Sequence, residues 1–162
     1  MRMKKFCQYD RNLLRTCLFA VLSFLTMCFI FSQSVLSREE SGGLSAGIVA
    51  WLKPILDPNG MLSEDTFHYY LRKAAHFTEF AVFGCFISGF TVNFGLYLQR
   101  KYVALPLLLS LSVAVCDEFI QYFTGRGSMV TDVVIDFSGA VFGLLAVRLI
   151  IWLFGQKKRM AV

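Results

Sequence analysis

Charge is scarce in this chain: Asp, Glu, Lys and Arg make up 17% of its 162 residues, while 56% are hydrophobic. With 17 phenylalanines and a mean hydropathy of +0.59, it has a composition that a soluble domain of this size rarely reaches and a small integral membrane protein reaches easily. Acids are scarcer than bases, 11 against 16. The bases flank apolar runs instead of lining one polar surface, which argues against a nucleic-acid partner. The five cysteines (Cys7, Cys17, Cys28, Cys85 and Cys116) are odd in number and contain no Cys-x-x-Cys pair. They read as small apolar packing residues rather than a disulfide framework or a thiolate metal site. There are only three prolines, and two of them, Pro54 and Pro58, fall in one polar connection. No repeat, low-complexity tract or recognisable nucleophile motif is present.

What is present is four apolar runs. Residues 1–15 are basic, and no charge occurs from Thr16 to Ser37, which is enough for about 30 Å of helix. The first run reads as an uncleaved span. A cleaved signal peptide is the competing reading, because Ser32-x-Ser34 loosely resembles a small-residue cleavage site. Residues 38–71 form a polar, partly amphipathic connection in which Trp51 would sit at headgroup level and Pro54, Pro58 and Gly60 break any long helix. Ser63 followed by Glu64 and Asp65 predicts an N-cap, with the helix continuing through Arg72 into a second span over about 74–95. A third span is expected over about 102–123, with Pro106 near its start, where proline is tolerated. The tight loop Gly125–Ser128 leads to a fourth span over about 133–154. The expected fold is therefore all-α: a polytopic membrane protein with a compact four-transmembrane-helix bundle and an extracytoplasmic amphipathic connection between spans one and two. The membrane domain covers 16–155, between a basic N-terminus (1–15) and a basic tail (156–162). With both termini cytoplasmic, the inner side carries 11 basic residues and one acid, as the positive-inside rule requires.

This topology places polar groups. His76 and Glu79 lie one to two turns into span two, with Arg72 a turn before them on the same face. Asp117, Glu118 and Gln121 lie in the last two turns of span three. Asp132 and Asp136 lie at the mouth of span four. All fall roughly 3–10 Å below the outer helix ends at 1.5 Å per residue. Ionisable groups at such depth are costly unless they face a protein interior with partners. Gly139-x-x-x-Gly143, and more weakly Gly84-x-x-x-Ser88 and Ser110-x-x-x-Ala114, provide for close helix approach.

The series Arg72-Lys73-x-x-His76-Phe77-x-Glu79-Phe80, Asp117-Glu118-x-x-Gln121-x-Phe123, Gly125-Arg126-Gly127 and Asp132-Val133-x-x-Asp136-x-x-Gly139 resembles the VanZ-like family of bacterial membrane proteins. Phe31-Ser32-Gln33-Ser34 is similar to a further segment of that family, and the resemblance covers about residues 15–155. It implies a bacterial plasma-membrane location and a cell-envelope setting, since the family is named after a protein associated with low-level teicoplanin resistance. It implies no particular reaction. In relatives the position of Asp136 also carries Asn.

The candidate site comprises His76, Glu79, Asp117, Glu118 and Asp136 for chemistry, and Arg72, Gln121, Arg126 and Asp132 for ligand contacts. So many acids near hydrocarbon require pairing, protonation or a cation. Arg126 would pair with Asp132 or Glu118, cap a helix end or bind an anion, and Lys73 reads as a solvated interfacial charge. His76 has three readings: a cross-helix hydrogen bond, an acid/base role, or a metal ligand with Glu79 and Asp136. No metal is assigned and the cofactor stays unknown.

Four functions follow for test. The first is an outward-facing intramembrane site for a membrane lipid or lipid-linked cell-wall precursor, contributing to glycopeptide (teicoplanin) resistance. The second is an enzyme of phospho- or acyl-transfer at the same site. The third is a proton- or cation-linked transporter, for which four spans are few unless a homodimer forms. The fourth is a structural or partner-binding membrane protein.

Overall fold

A computed structural model describes the backbone of residues 2–36, 38–125, 127 and 129–160, and the side chains of 9–36, 43, 46–125, 127 and 129–154. The described residues form five α-helices: α1 (Arg2–Val35), α2 (Arg38–Leu56), α3 (Glu64–Leu98), α4 (Ala104–Phe123) and α5 (Val130–Met160). No strand occurs among the described residues. Apolar stretches long enough to cross a membrane lie at Tyr9–Val35, Glu64–Leu98, Ala104–Phe123 and Val130–Phe154. The four expected spans are therefore present, and α1, α3 and α5 extend beyond them.

Local chemistry explains the ends. Ser63 caps α3 as expected, with extended backbone and its hydroxyl accepting from the Thr66 amide at 3.3 Å. At the far end Gln99 adopts a left-handed conformation (φ 54°), and the Arg100 amide donates to Gly95 O at 2.9 Å. Within the apolar runs several hydroxyls are satisfied on their own helix: Thr16 donates to Asn12 O, Ser23 to Phe19 O and Thr91 to Ile87 O. The loop before α5 turns on Gly125 and Gly127, both at positive φ (70° and 78°).

The connection between α1 and α3 differs from expectation. Residues 38–56 are helical, and Pro54 lies inside α2 instead of ending it. Proline removes one amide donor, but it stands in the last turn, where the Asp57 amide still reaches Lys53 O at 2.8 Å. The true stop is the Asp57–Gly60 turn. There the Asp57 carboxylate accepts from the Met61 and Leu62 amides at 2.8 and 3.0 Å, and Lys53 donates to Leu62 O at 2.9 Å. α2 rests on α3, with Val49 buried and Trp51 exposed.

α3 is the axis of the molecule and touches each of the other helices. Phe80, Phe83 and Ile87 of α3 form the core with Ile30 of α1, Val113 and Ala114 of α4, and Ala140 and Leu144 of α5. α3 and α5 run in the same direction, because Phe77 backbone meets Gly139 and Ala81 backbone meets Gly143 one turn further on. A Cβ on Gly139, Gly143 or Gly84 would lie 2.3, 2.0 or 2.1 Å from a carbonyl oxygen of the other helix. The pair is thus packed backbone on backbone, as small-residue spacings allow. α1 and α4 run the opposite way: the Tyr9 ring lies against that of Tyr97 at one end, and Ser34 meets Asp117 at the other. The end marked by Tyr97 also has a cleft of about 530 Å³ lined by Gln99, Arg100, Lys101, Tyr102 and Arg148.

Candidate functional site

The α3–α5 seam is polar at its start and glycine-lined beyond. Lys73 pairs with Asp132, and one turn on, His76 faces Asp136 with Nδ1 3.7 Å from Oδ1. Phe77 against Gly139 and Ala81 against Gly143 follow in the same register. The glycine contacts fix the register of the two helices and so fix which charges meet. α4 completes the site from the side: Asp117 Oδ2 lies 3.9 Å from His76 Nδ1.

Asp117 is fully buried and held from two directions. Ser34 of α1 donates to its Oδ1 at 2.5 Å, and Gln121, one turn along α4, donates to its Oδ2 at 2.7 Å. Thr124 in turn donates to Ser34 O at 3.1 Å, tying the ends of α1 and α4 together. Glu118 is buried and accepts from the Met129 amide at 3.2 Å, anchoring the loop into α5. Asp136 is only 1% exposed, and neither of its carboxylate oxygens accepts a hydrogen bond from a described residue. One donor atom each from His76, Asp117 and Asp136 lies within 4.8 Å of the other two.

Three separate spans thus deliver His76, Asp117 and Asp136 to one point, with Gln121 supporting it and Asp132 a turn away. Two expectations change. Lys73 is not a solvated charge: it is 17% exposed, pairs with Asp132 and lies over the Tyr69 ring at 5.2 Å. In the group around His76, Asp117 takes the place expected for Glu79, which stays half-buried one turn deeper on α3. Arg72 is half-buried, with no ion pair or hydrogen bond among the described residues. Arg126 and Ser128 lie outside the described residues, as do the side chains of Arg2, Lys4, Lys5, Lys157, Lys158 and Arg159. In sequence Ser34 stood out only in a loose cleavage-site match and as part of a resemblance; its position at the outer end of span one was the signal for its role.

The chain matches the family model VanZ/LLP1 over residues 19–152. It matches no curated protein and no solved structure.

Proposed function

The chain belongs to the VanZ/LLP1 family, and from that premise we propose that it binds the anionic head of a cell-envelope lipid or lipid-linked cell-wall precursor at a site open to the outer leaflet. The protein is a multi-pass membrane protein with four spanning helices. In this reading it resides in the bacterial plasma membrane with both termini cytoplasmic. The end bearing Arg100, Lys101 and Arg148 then faces the cytoplasm, in accord with the positive-inside rule, and the His76 site lies beneath the outer surface.

The observation that carries the reading is the convergence of His76, Asp117 and Asp136 from α3, α4 and α5 at one depth inside the bundle. Buried acids are costly in a membrane span, and they mark ligand or proton paths where they occur. Arg72, a turn before His76 on the same helix, supplies a half-buried guanidinium suited to a phosphate. Glycopeptide resistance would then follow from an altered supply or accessibility of the bound precursor.

The test is lipid binding by purified protein in nanodiscs, read by native mass spectrometry with phosphatidylglycerol and a lipid-linked cell-wall precursor. Arg72→Ala should weaken retention of the anionic lipid by at least about tenfold, since a hydrogen bond to a charged group is worth about 1.5–3 kcal/mol. His76→Ala should also reduce it. Equal retention by parent and both variants would sink the reading. In cells, teicoplanin susceptibility should rise in His76 and Asp136 variants expressed at the parent level.

A further inference from the structure

We propose that His76, Asp117 and Asp136 form a binding site for one divalent transition-metal ion of the zinc class. The proposal does not rest on lipid binding, because metal occupancy is measured with no lipid substrate present.

Geometry is the first support. His76 Nδ1 lies 3.7 Å from Asp136 Oδ1 and 3.9 Å from Asp117 Oδ2, and the three donor atoms are all within 4.8 Å of one another. Ligands at about 2.0–2.1 Å from a tetrahedral ion are separated by about 3.3–3.4 Å. A modest inward movement of side chains alone would close the set.

Asp136 is the second and independent support. It is buried, and neither oxygen accepts a hydrogen bond from a described residue. A carboxylate in that state needs either a proton or a cation. The Lys73 ammonium is held by Asp132, one turn away.

The third support is the treatment of Asp117. Ser34 and Gln121 hold its two oxygens, and Oδ2 is thereby kept 3.9 Å from His76 Nδ1. Metal-bound carboxylates are held in this way by outer hydrogen bonds. With a neutral imidazole the three ligands themselves carry −2, the charge a divalent ion matches, and buried Glu118 lies nearby. One imidazole nitrogen with two carboxylates suits Zn²⁺ or Mn²⁺ better than Mg²⁺ or Ca²⁺, which favour all-oxygen shells. Three protein ligands leave one position open, as sites that also bind a substrate require.

The experiment uses the full-length, tag-free protein in detergent, stripped with EDTA and titrated with ZnCl₂, MnCl₂ and MgCl₂. Bound metal is counted by elemental analysis after desalting, and CoCl₂ gives a visible spectrum that reports coordination. The expected result is one Zn²⁺ or Mn²⁺ per chain, and a four-coordinate Co²⁺ band. Affinity should fall at least about tenfold in His76→Ala and Asp136→Ala, the scale on which even supporting ligand contacts act. His68→Ala, at the other histidine, should leave binding unchanged. Asp136→Asn keeps the shape of the side chain, and its melting in EDTA shows whether the fold survives. Loss of metal in a folded Asp136→Asn supports the site. Less than stoichiometric binding to the parent, or unchanged affinity in His76→Ala and folded Asp136→Asn, overturns it.

Discussion

Ser34 donates its hydroxyl to Asp117 at 2.5 Å, where both side chains are fully buried. Ser34→Ala removes that donor and leaves a carboxylate oxygen short of a partner, at a cost of about 1–3 kcal/mol. The loss should appear as a lower melting temperature in detergent, and Gln121→Leu should act in the same direction through Oδ2. Lys73→Met should destabilise by about 1–3 kcal/mol, because Asp132 then stays partly buried without its cation. The double variant Lys73→Met/Asp132→Leu should recover most of the loss. A double variant as unstable as Lys73→Met would show that the pair itself, and not the orphaned acid, carries the energy. At this scale the sequence was informative about depth and not about azimuth. Counting residues from the helix ends put His76, Asp117 and Asp136 at one level, and they meet. Counting does not say which way neighbouring helices are rotated, so the partner of Lys73 and the support from Ser34 became visible only in the packed bundle.

For the elements, the glycines of the α3–α5 seam make a sharper test than any polar residue. A Cβ on Gly143 would sit 2.0 Å from Ala81 O, a backbone atom that cannot swing aside. Gly143→Ala should therefore cost about 1–3 kcal/mol through overpacking, and disturb the site by shifting α5 along α3. Gly47 in α2 has nothing within 4 Å of an added Cβ. Gly47→Ala should be neutral or stabilising by about 0.5–1 kcal/mol, from helix propensity alone. Thermal melting of the two variants decides the contrast; equal effects would contradict the seam. The four spans and the Ser63 cap were legible because apolar periodicity and cap chemistry are local. α2 was not, because Ser41-Gly42-Gly43 and Gly47 are poor helix formers. Contact with α3, where Val49 is buried, outweighs that local preference.

At the scale of the whole molecule, the outward faces of the spans are apolar: Leu18, Phe24, Leu108, Phe119, Phe142 and Leu149 are all exposed. That surface suits acyl chains and leaves the polar groups facing inward. The orientation has a direct test. In a cysteine-free background, Asn59→Cys should react with a membrane-impermeant maleimide on intact cells, whereas Lys101→Cys should react only after permeabilisation. The reverse pattern would turn the protein over and place the site on the cytoplasmic side.

The length of α3 has one more consequence. Its 35 residues extend about 52 Å at 1.5 Å per residue, against a hydrocarbon layer of about 30 Å. From His76 to Leu98 is about 33 Å, so that stretch alone crosses the oily layer and leaves the histidine near its rim. In the proposed orientation the two and a half turns from Glu64 to Arg72 then lie beyond that layer, as a post among the phosphates. A lipid-linked ligand of the proposed kind would meet that post with its tail still anchored in the leaflet, without being lifted from the bilayer.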